Sequence, residues 1–281
     1  MSLPALIREP LKRRRVRLTL GFLMFATALI AVWLAGRSEH VKRQRAALAA
    51  IKALGGHLDF ECDLDATGSP VKGGRSWVPR WLHNAGGVDY FHSIARVYLS
   101  YGRPPVSDKD VAFLSDLTEL RVLAIYNCQI TDQALSCLPS LPHLRALELG
   151  NTLVGDASAR NIESLTELDS LSLGNTHFTD AGLTFLRKMT KLRKLNLMNL
   201  PVTDAGLANL ENLSALEKLN LRQTRVTEEG LIHLSKLSRL KTLGLWETKM
   251  TTQGVATLQN ALPKTLISSD VTNPKVLPHL N

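Results

Sequence analysis

Cysteine is scarce in this chain: there are three in 281 residues, Cys62, Cys128 and Cys137. The number is odd and no C-x-x-C occurs, so a disulfide framework is excluded and free thiols are expected. A Cys128–Cys137 bridge is the alternative. Catalytic signatures are missing as well. No G-x-S-x-G, H-E-x-x-H or G-x-G-x-x-G is present. The stretch GSPVKGGRS approaches a phosphate loop, but the G-x-x-x-x-G-K-[ST] pattern needs Lys where Gly74 stands. Eight histidines are scattered, with His177 and His233 outside any ligand spacing, and no pair of carboxylates marks a cleft. An enzyme is not expected, nor a cofactor, a metal or a small-molecule substrate.

An excess of positive charge is missing from most of the chain, although the formal net charge is +9. Residues 1–45 hold ten Lys or Arg against two Glu, and the remainder holds 24 basic against 23 acidic side chains. Phosphate binding needs a concentrated basic surface, so nucleic acid is not an expected partner. The basic residues instead flank one uncharged run, LTLGFLMFATALIAVWLAG, at residues 18–36. As a helix it would span about 28 Å, close to the hydrocarbon thickness of a bilayer. Arg17 and Arg37 bracket it, and Trp33 suits an interface. The expectation is a basic segment at 1–17 and an uncleaved signal anchor, a single-pass transmembrane helix, at 18–36. A cleaved signal peptide is the rival, but Trp33 and Leu34 before Ala35 fit a small-x-small site poorly. Six basic residues precede the span and four follow it, which places the C-terminal part on the extracytoplasmic side.

Residues 37–56 are expected as a juxtamembrane helix, with Ser38 as its cap and Gly55-Gly56 as its stop. Val41, Leu48, Ile51 and Leu54 make a narrow apolar stripe, read as continuing the span or as a self-association seam. In 57–96, HLDFEC alternates like a half-buried strand, and Trp77, Trp81, Tyr90 and Phe91 suggest an N-terminal cap.

From there the chain repeats every 24 residues. Leu120, Leu144, Leu168, Leu192, Leu216 and Leu240 share a column; Leu123, Leu147, Leu171, Leu195, Leu219 and Leu243 share the next. Ile125, Leu149, Leu173, Leu197, Leu221 and Leu245 form a third, and Ile130, Val154, Phe178, Val202, Val226 and Met250 a fourth. L-x-x-L-x-L has the period of two of a strand. Leu207, Leu210 and Leu213 recur every three residues, as on one face of a helix. One row cannot bury both faces, so rows must stack with a leucine core between sheet and helices.

LRALELGNTLV, LDSLSLGNTHF, LEKLNLRQTRV and LKTLGLWETKM resemble the leucine-rich-repeat family, whose motif is L-x-x-L-x-L-x-x-N/C-x-L. The T-D-A-G-L halves resemble bacterial members with a membrane anchor. The resemblance implies an α/β solenoid over 97–267, with parallel strands on the concave side and helices on the convex side, followed by a C-terminal tail at 268–281. In the family the Asn/Cys side chain is buried and bonds the turn backbone. Here that position holds Cys128, Thr152, Thr176, Thr224 and Thr248, whose polar groups can do the same; Leu200 cannot, so a local distortion is expected there. Ser107, Thr131, Thr179, Thr203, Thr227 and Thr251 stand as helix N-caps. Asp108, Asp132, Asp156, Asp180, Asp204 and Glu228 follow them, read as charges favoured at positive helix ends rather than as a metal stripe. Gly182, Gly206, Gly230 and Gly254, with Ala134 and Ser158 in the same column, are read as packing positions. Gly155 for Thr and Ala159 for Leu predict the weakest helix. The period is read as slipping after Leu258.

The family resemblance implies a broad concave surface that binds protein. Its exposed positions are small and polar in the rows of Glu148 and Ser172 and carry larger groups later. The candidate protein-binding residues are Tyr126, Glu148, Lys194, Met198, Asn199, Lys218, Arg222, Gln223, Trp246 and Glu247. Met, Arg and Trp are types favoured at interfaces. The expected function is a membrane-anchored protein-interaction module with an unidentified protein partner. The alternative is a structural or self-associating cell-envelope scaffold.

Overall fold

A computed structural model describes residues 38–60, 92–100 and 105–270, together with Phe25, Thr27 and Ala28. Among the described residues nine strands form one sheet in chain order. They are β1 (His57–Phe60), β2 (Ile94–Ser100), β3 (Val122–Tyr126), β4 (Ala146–Glu148), β5 (Ser170–Ser172), β6 (Lys194–Asn196), β7 (Lys218–Asn220), β8 (Thr242–Gly244) and β9 (Leu266–Ser268). β1 runs antiparallel to β2, and every later neighbour pair is parallel. From β3 onward each residue pairs with the one 24 positions on: Leu147 with Leu171, Leu195 with Leu219, Leu243 with Ile267. The period therefore does not slip after Leu258. It holds to Ile267, and only the leucine columns end, because Lys264 and Ser269 occupy their next positions.

All four apolar columns are buried in one continuous core. The returning segments on the convex side are mostly 3₁₀ rather than α-helical, at Asp108–Asp116, Ala134–Ser140 and Gly182–Lys188. The sequence explains this. Leu135, Leu138, Leu141 and Leu144 recur at intervals of three, which matches three residues per turn and keeps every one on the core side. Short α-turns appear where the segment tightens less: α2 (Ala159–Glu163), α3 (Asp204–Leu207) and α4 (Leu231–Leu234) follow an initial α1 at 38–53. The longest, α5 (Thr252–Ala261), precedes β9. The row that begins at Gly155 forms a complete helical run, Asp156–Ser158 continued by α2.

The acidic column does more than sit at helix ends. Each carboxylate reaches the next row, 23 residues on. Asp156 accepts from the Thr179 amide at 2.8 Å and from its hydroxyl at 2.6 Å. Asp108 does the same to Thr131, Asp180 to Thr203 and Asp204 to Thr227. Asp132 keeps only the amide bond, to Gly155 at 2.7 Å, because glycine has no hydroxyl. The threonines still cap their own helices: the Ala205 amide donates to Thr203 Oγ1 and the Glu229 amide to Thr227 Oγ1. The glycine column is the counterpart of these staples. A Cβ on Gly182, Gly206 or Gly230 would stand 2.0, 2.1 or 2.5 Å from the carboxylate oxygen of Asp156, Asp180 or Asp204.

The turn after each strand uses a second repeated device. Asn127, Asn151, Asn175, Asn199, Gln223 and Glu247 all adopt left-handed φ between 54° and 57°. Asparagine tolerates that region best among residues with a Cβ. Thr152, Thr176, Thr224 and Thr248 donate to the carbonyls of Leu149, Leu173, Leu221 and Leu245, as expected for the motif position. Leu200 does not distort its turn. It is buried, and Asn199 keeps φ 54° and its amide bond to the Arg222 carbonyl at 2.8 Å. The turn is set by backbone, so a leucine there only forgoes one polar link.

At the N-terminal end, α1 packs onto the solenoid instead of standing free. Val41, Ala47 and Ile51 are buried, and Ala47 and Ile51 belong to the same core as the repeats. Gln44, between them, is buried too. Its side-chain oxygen accepts from the Ile94 amide at 2.8 Å and its nitrogen donates to the His92 carbonyl at 3.2 Å. The apolar stripe thus covers the first row, with Leu48 and Leu54 only half-buried at its margin. Gly55 ends the helix at φ 69°, and a Cβ on Gly56 would come within 2.6 Å of Leu99. HLDF forms β1 as its alternation predicts. Trp77, Trp81, Tyr90 and Phe91 lie outside the described residues, as do Cys62, the tail from 271, and nearly all of the expected span at 18–36. Among the described residues no helix is long and apolar enough to cross a membrane. Cys128 is buried and Cys137 half-buried, and neither forms a disulfide; burial pushes the Cys137 thiol up to about 11. The last strand extends the solenoid slightly past 267, with Ser269 still buried.

Candidate protein-binding surface

Because side chains alternate along a strand, the leucines of L-x-L enter the core and the residues between them line the open face of the sheet. The parallel register sorts those residues into columns. One runs Val122, Ala146, Ser170, Lys194, Lys218, Thr242 and Leu266; the next runs Ala124, Glu148, Ser172, Asn196, Asn220 and Gly244. A third lies just beyond the strands. The amides of Asn127, Asn151, Asn175, Asn199 and Gln223 donate to the carbonyls of Gly150, Gly174, Met198, Arg222 and Trp246. Those five residues are therefore in line, two glycines followed by three large side chains.

The ten candidate residues divide between these columns and the turn. Glu148, Lys194 and Lys218 are exposed on the strand face, and Tyr126, Met198, Arg222 and Trp246 are half-buried at its rim. Lys194 and Lys218 are direct register partners. Asn199, Gln223 and Glu247 are also exposed, but their conformations are fixed by the left-handed turn, and their side chains bond along the stack. The Asn199 amide donates to Asn175 Oδ1 at 2.7 Å, and the Gln223 amide to Glu247 Oε2 at 2.8 Å. These three carry structure first and offer a partner only what the ladder leaves over.

Sequence reasoning passed over two residues that shape this surface. Asn196 Oδ1 accepts from the Met198 amide and Asn220 Oδ1 from the Arg222 amide, each at 3.1 Å. They hold the backbone of the two large residues that follow. The signal was there in the repeated KLN of β6 and β7. Glycine in the next row makes room for both side chains: a Cβ on Gly244 would lie 3.0 Å from Asn220 Oδ1 and 3.4 Å from Arg222 Cγ. The Arg222 side chain is laid down so closely that its Nε is buried, with no hydrogen-bond partner among the described residues.

Charges just before the strands are organised differently, into pairs between rows. Glu217 accepts from Lys241 Nζ at 2.7 Å and from Arg193 Nε at 3.0 Å. Lys241 and then Arg193 hold its carboxyl down to about 2, from an ordinary 4.5. Glu167 is lowered by its hydrogen bond with Lys191. On the convex side Glu211 is lowered by Lys236 and His233. Among the described residues no group of three or more His, Cys, Asp or Glu is placed to hold a metal ion. What the face offers chemically is contact area and charge.

The family model described as a leucine-rich repeat region matches residues 105–269. Among solved structures, the chain is similar to an internalin from Listeria monocytogenes, at 27% identity and a TM-score of 0.49, covering 58% of this chain and 44% of that one. It is also similar to internalin C2 from Listeria monocytogenes, at 21% identity and a TM-score of 0.46, covering 67% of this chain and 90% of that one. The chain thus spans less than half the length of the first of these. No curated protein matches the sequence.

Proposed function

Because this chain belongs to the leucine-rich-repeat family, we propose that it is a non-catalytic protein-interaction module whose contact patch lies on β6, β7 and β8 and the turns after them. The observation that carries the proposal is the alignment of Met198, Arg222 and Trp246 in one column beside Lys194 and Lys218. Arginine and tryptophan dominate binding energy at interfaces, and here both are half-buried and held by neighbouring backbone bonds. The expected partner is a protein. The test is capture of the partner, identified by proximity labelling, by the Arg222→Ala/Trp246→Ala double variant. Loss of capture with an unchanged circular dichroism spectrum is expected; undiminished capture refutes the patch.

The same proposal includes the address. The uncharged run at 18–36 with its basic flanks supports a bilayer anchor, with residues 1–17 inside and the solenoid outside. Alkaline phosphatase fused after Asn281 should be active, and an inactive fusion reverses the orientation. The scaffold reading has one observation in its favour: β9 is the last strand of the sheet among the described residues, and Leu266 on it is 66% exposed. Crosslinking in intact membranes separates the two, since a ladder of this chain alone favours scaffolding.

A further inference from the structure

Resting on the patch just proposed, we infer that its partner presents an extended acidic segment, with two carboxylates that straddle the Lys194–Lys218 pair and Arg222. The argument starts from unbalanced charge. Lys194 and Lys218 are register partners on adjacent parallel strands, about 4.8 Å apart at the backbone. Like charges so placed repel each other. Neither lysine has an ion-pair partner among the described residues, although acids are close.

Each nearby acid is committed elsewhere or set apart. Glu217 is shared by Arg193 and Lys241. Glu247 accepts from Gln223. Asp169 acts on Arg193. Glu148 lies two strands away from β6, about 10 Å. Four residues beyond Lys218 along the same row, Arg222 adds a third cation with a buried Nε that no described group satisfies. Three positive groups on a face with a single exposed strand carboxylate among the described residues amount to a stored electrostatic cost that an anionic partner relieves.

Geometry selects the form of the anion. Lys218 and Arg222 are about 13 Å apart at ~3.3 Å per residue. An extended peptide running along the strands sets its residues i and i+4 at the same separation and on one side. One carboxylate then bridges the two lysines and the other meets the Arg222 guanidinium. Met198 and Trp246 flank Arg222 in the rows on either side. They exclude water there and strengthen that pair. At Gly150 a Cβ would meet only the Gly174 carbonyl, at 3.5 Å, which leaves the partner backbone room two rows from Met198.

The test is selection of a random linear peptide library on the full-length chain, then on the Lys194→Glu/Lys218→Glu variant. Enrichment of Asp or Glu at positions four apart is expected on the native chain. The selected peptide should bind the charge-reversed variant about tenfold or more weakly, and should weaken with added salt. A neutral or basic consensus, no enrichment, or equal binding to both chains overturns the inference. So does tighter binding of a single-stranded oligonucleotide of the same charge. If Arg222→Ala/Trp246→Ala abolishes partner capture while Lys194→Glu/Lys218→Glu leaves it intact, the acidic segment is wrong and the patch stands. If neither variant affects capture, the patch itself is wrong.

Discussion

Removing the carboxylate of Asp180 and adding a methyl at Gly206 should have energies that depend strongly on each other. Asp180 accepts two hydrogen bonds from Thr203, 2.9 Å from the amide and 2.5 Å from the hydroxyl. Bonds to a charged acceptor contribute about 1.5–3 kcal/mol each. The site is half-buried, so Asp180→Ala should cost about 2–3 kcal/mol in total. Gly206→Ala sets a Cβ 2.1 Å from Asp180 Oδ1 and 2.9 Å from Val202 Cγ1. The row must spread to admit it. Such an accommodation is possible, since Ala134 stands at the corresponding place and Asp108 still bonds Thr131 there. The spreading should cost about 1–2 kcal/mol net of the helix propensity that alanine gains. In the Asp180→Ala background the obstructing oxygen is gone, and Gly206→Ala should be neutral or slightly stabilising. The coupling energy from urea unfolding midpoints of the four chains should therefore be about 1.5 kcal/mol. Additivity within about 0.5 kcal/mol would refute the idea that the glycine column exists to make room for the preceding row's carboxylate.

Three further outcomes follow from the same structure. The Glu217 carboxyl is depressed in the folded chain, so its stabilisation is complete above an unfolded value near 4.5 and lost as pH falls toward about 2. Urea midpoints of the native chain and Glu217→Gln should differ by a constant amount above pH 4.5 and converge between 4.5 and 2; a constant gap throughout contradicts this. Asn199→Val should lose about 1–2 kcal/mol because a β-branched residue is strained at φ 54°, while Asn199→Gly should stay within a few tenths. Equal thermal midpoints for the two variants contradict it. Gln44→Leu removes the acceptor from the buried Ile94 amide and should cost about 2 kcal/mol, with faster tryptic cleavage at Arg43 and Arg45 as α1 loosens. Cleavage at the native rate contradicts the docking of α1.

The repeat was legible because its signal is periodic: Leu147 and Leu171 declare their stacking by standing 24 apart. What was not legible depends on partners that no local pattern reveals. The Asp180 carboxylate looks like a helix-end charge until Thr203, 23 residues away, is brought against it. The Val41–Ile51 stripe read as a membrane-proximal seam because the surface it covers, around Ile94, lies some 50 residues downstream and Gln44 disguised its apolar character. Regularity also misled at the end of the array. Lys264 and Ser269 broke the leucine columns, yet the backbone register of β9 continued. On the concave face the strand positions of Lys194 and Lys218 followed from alternation alone. That Asn199, Gln223 and Glu247 belong to a left-handed turn could have been read from the recurring Asn of that column.

The central physical claim is that consecutive 24-residue rows lie side by side in parallel register, setting Lys194 beside Lys218. Cysteines placed at those two positions should be bridged by dibromobimane to give a fluorescent intramolecular product. In a Cys62→Ser background the unwanted reaction should be low, since Cys128 is buried and the Cys137 thiol is pushed up to about 11. Cysteines at Lys194 and Thr242, two strands and about 10 Å apart, should not be bridged. Absence of the first product, or equal yields of both, would contradict the stacking from which every other conclusion follows.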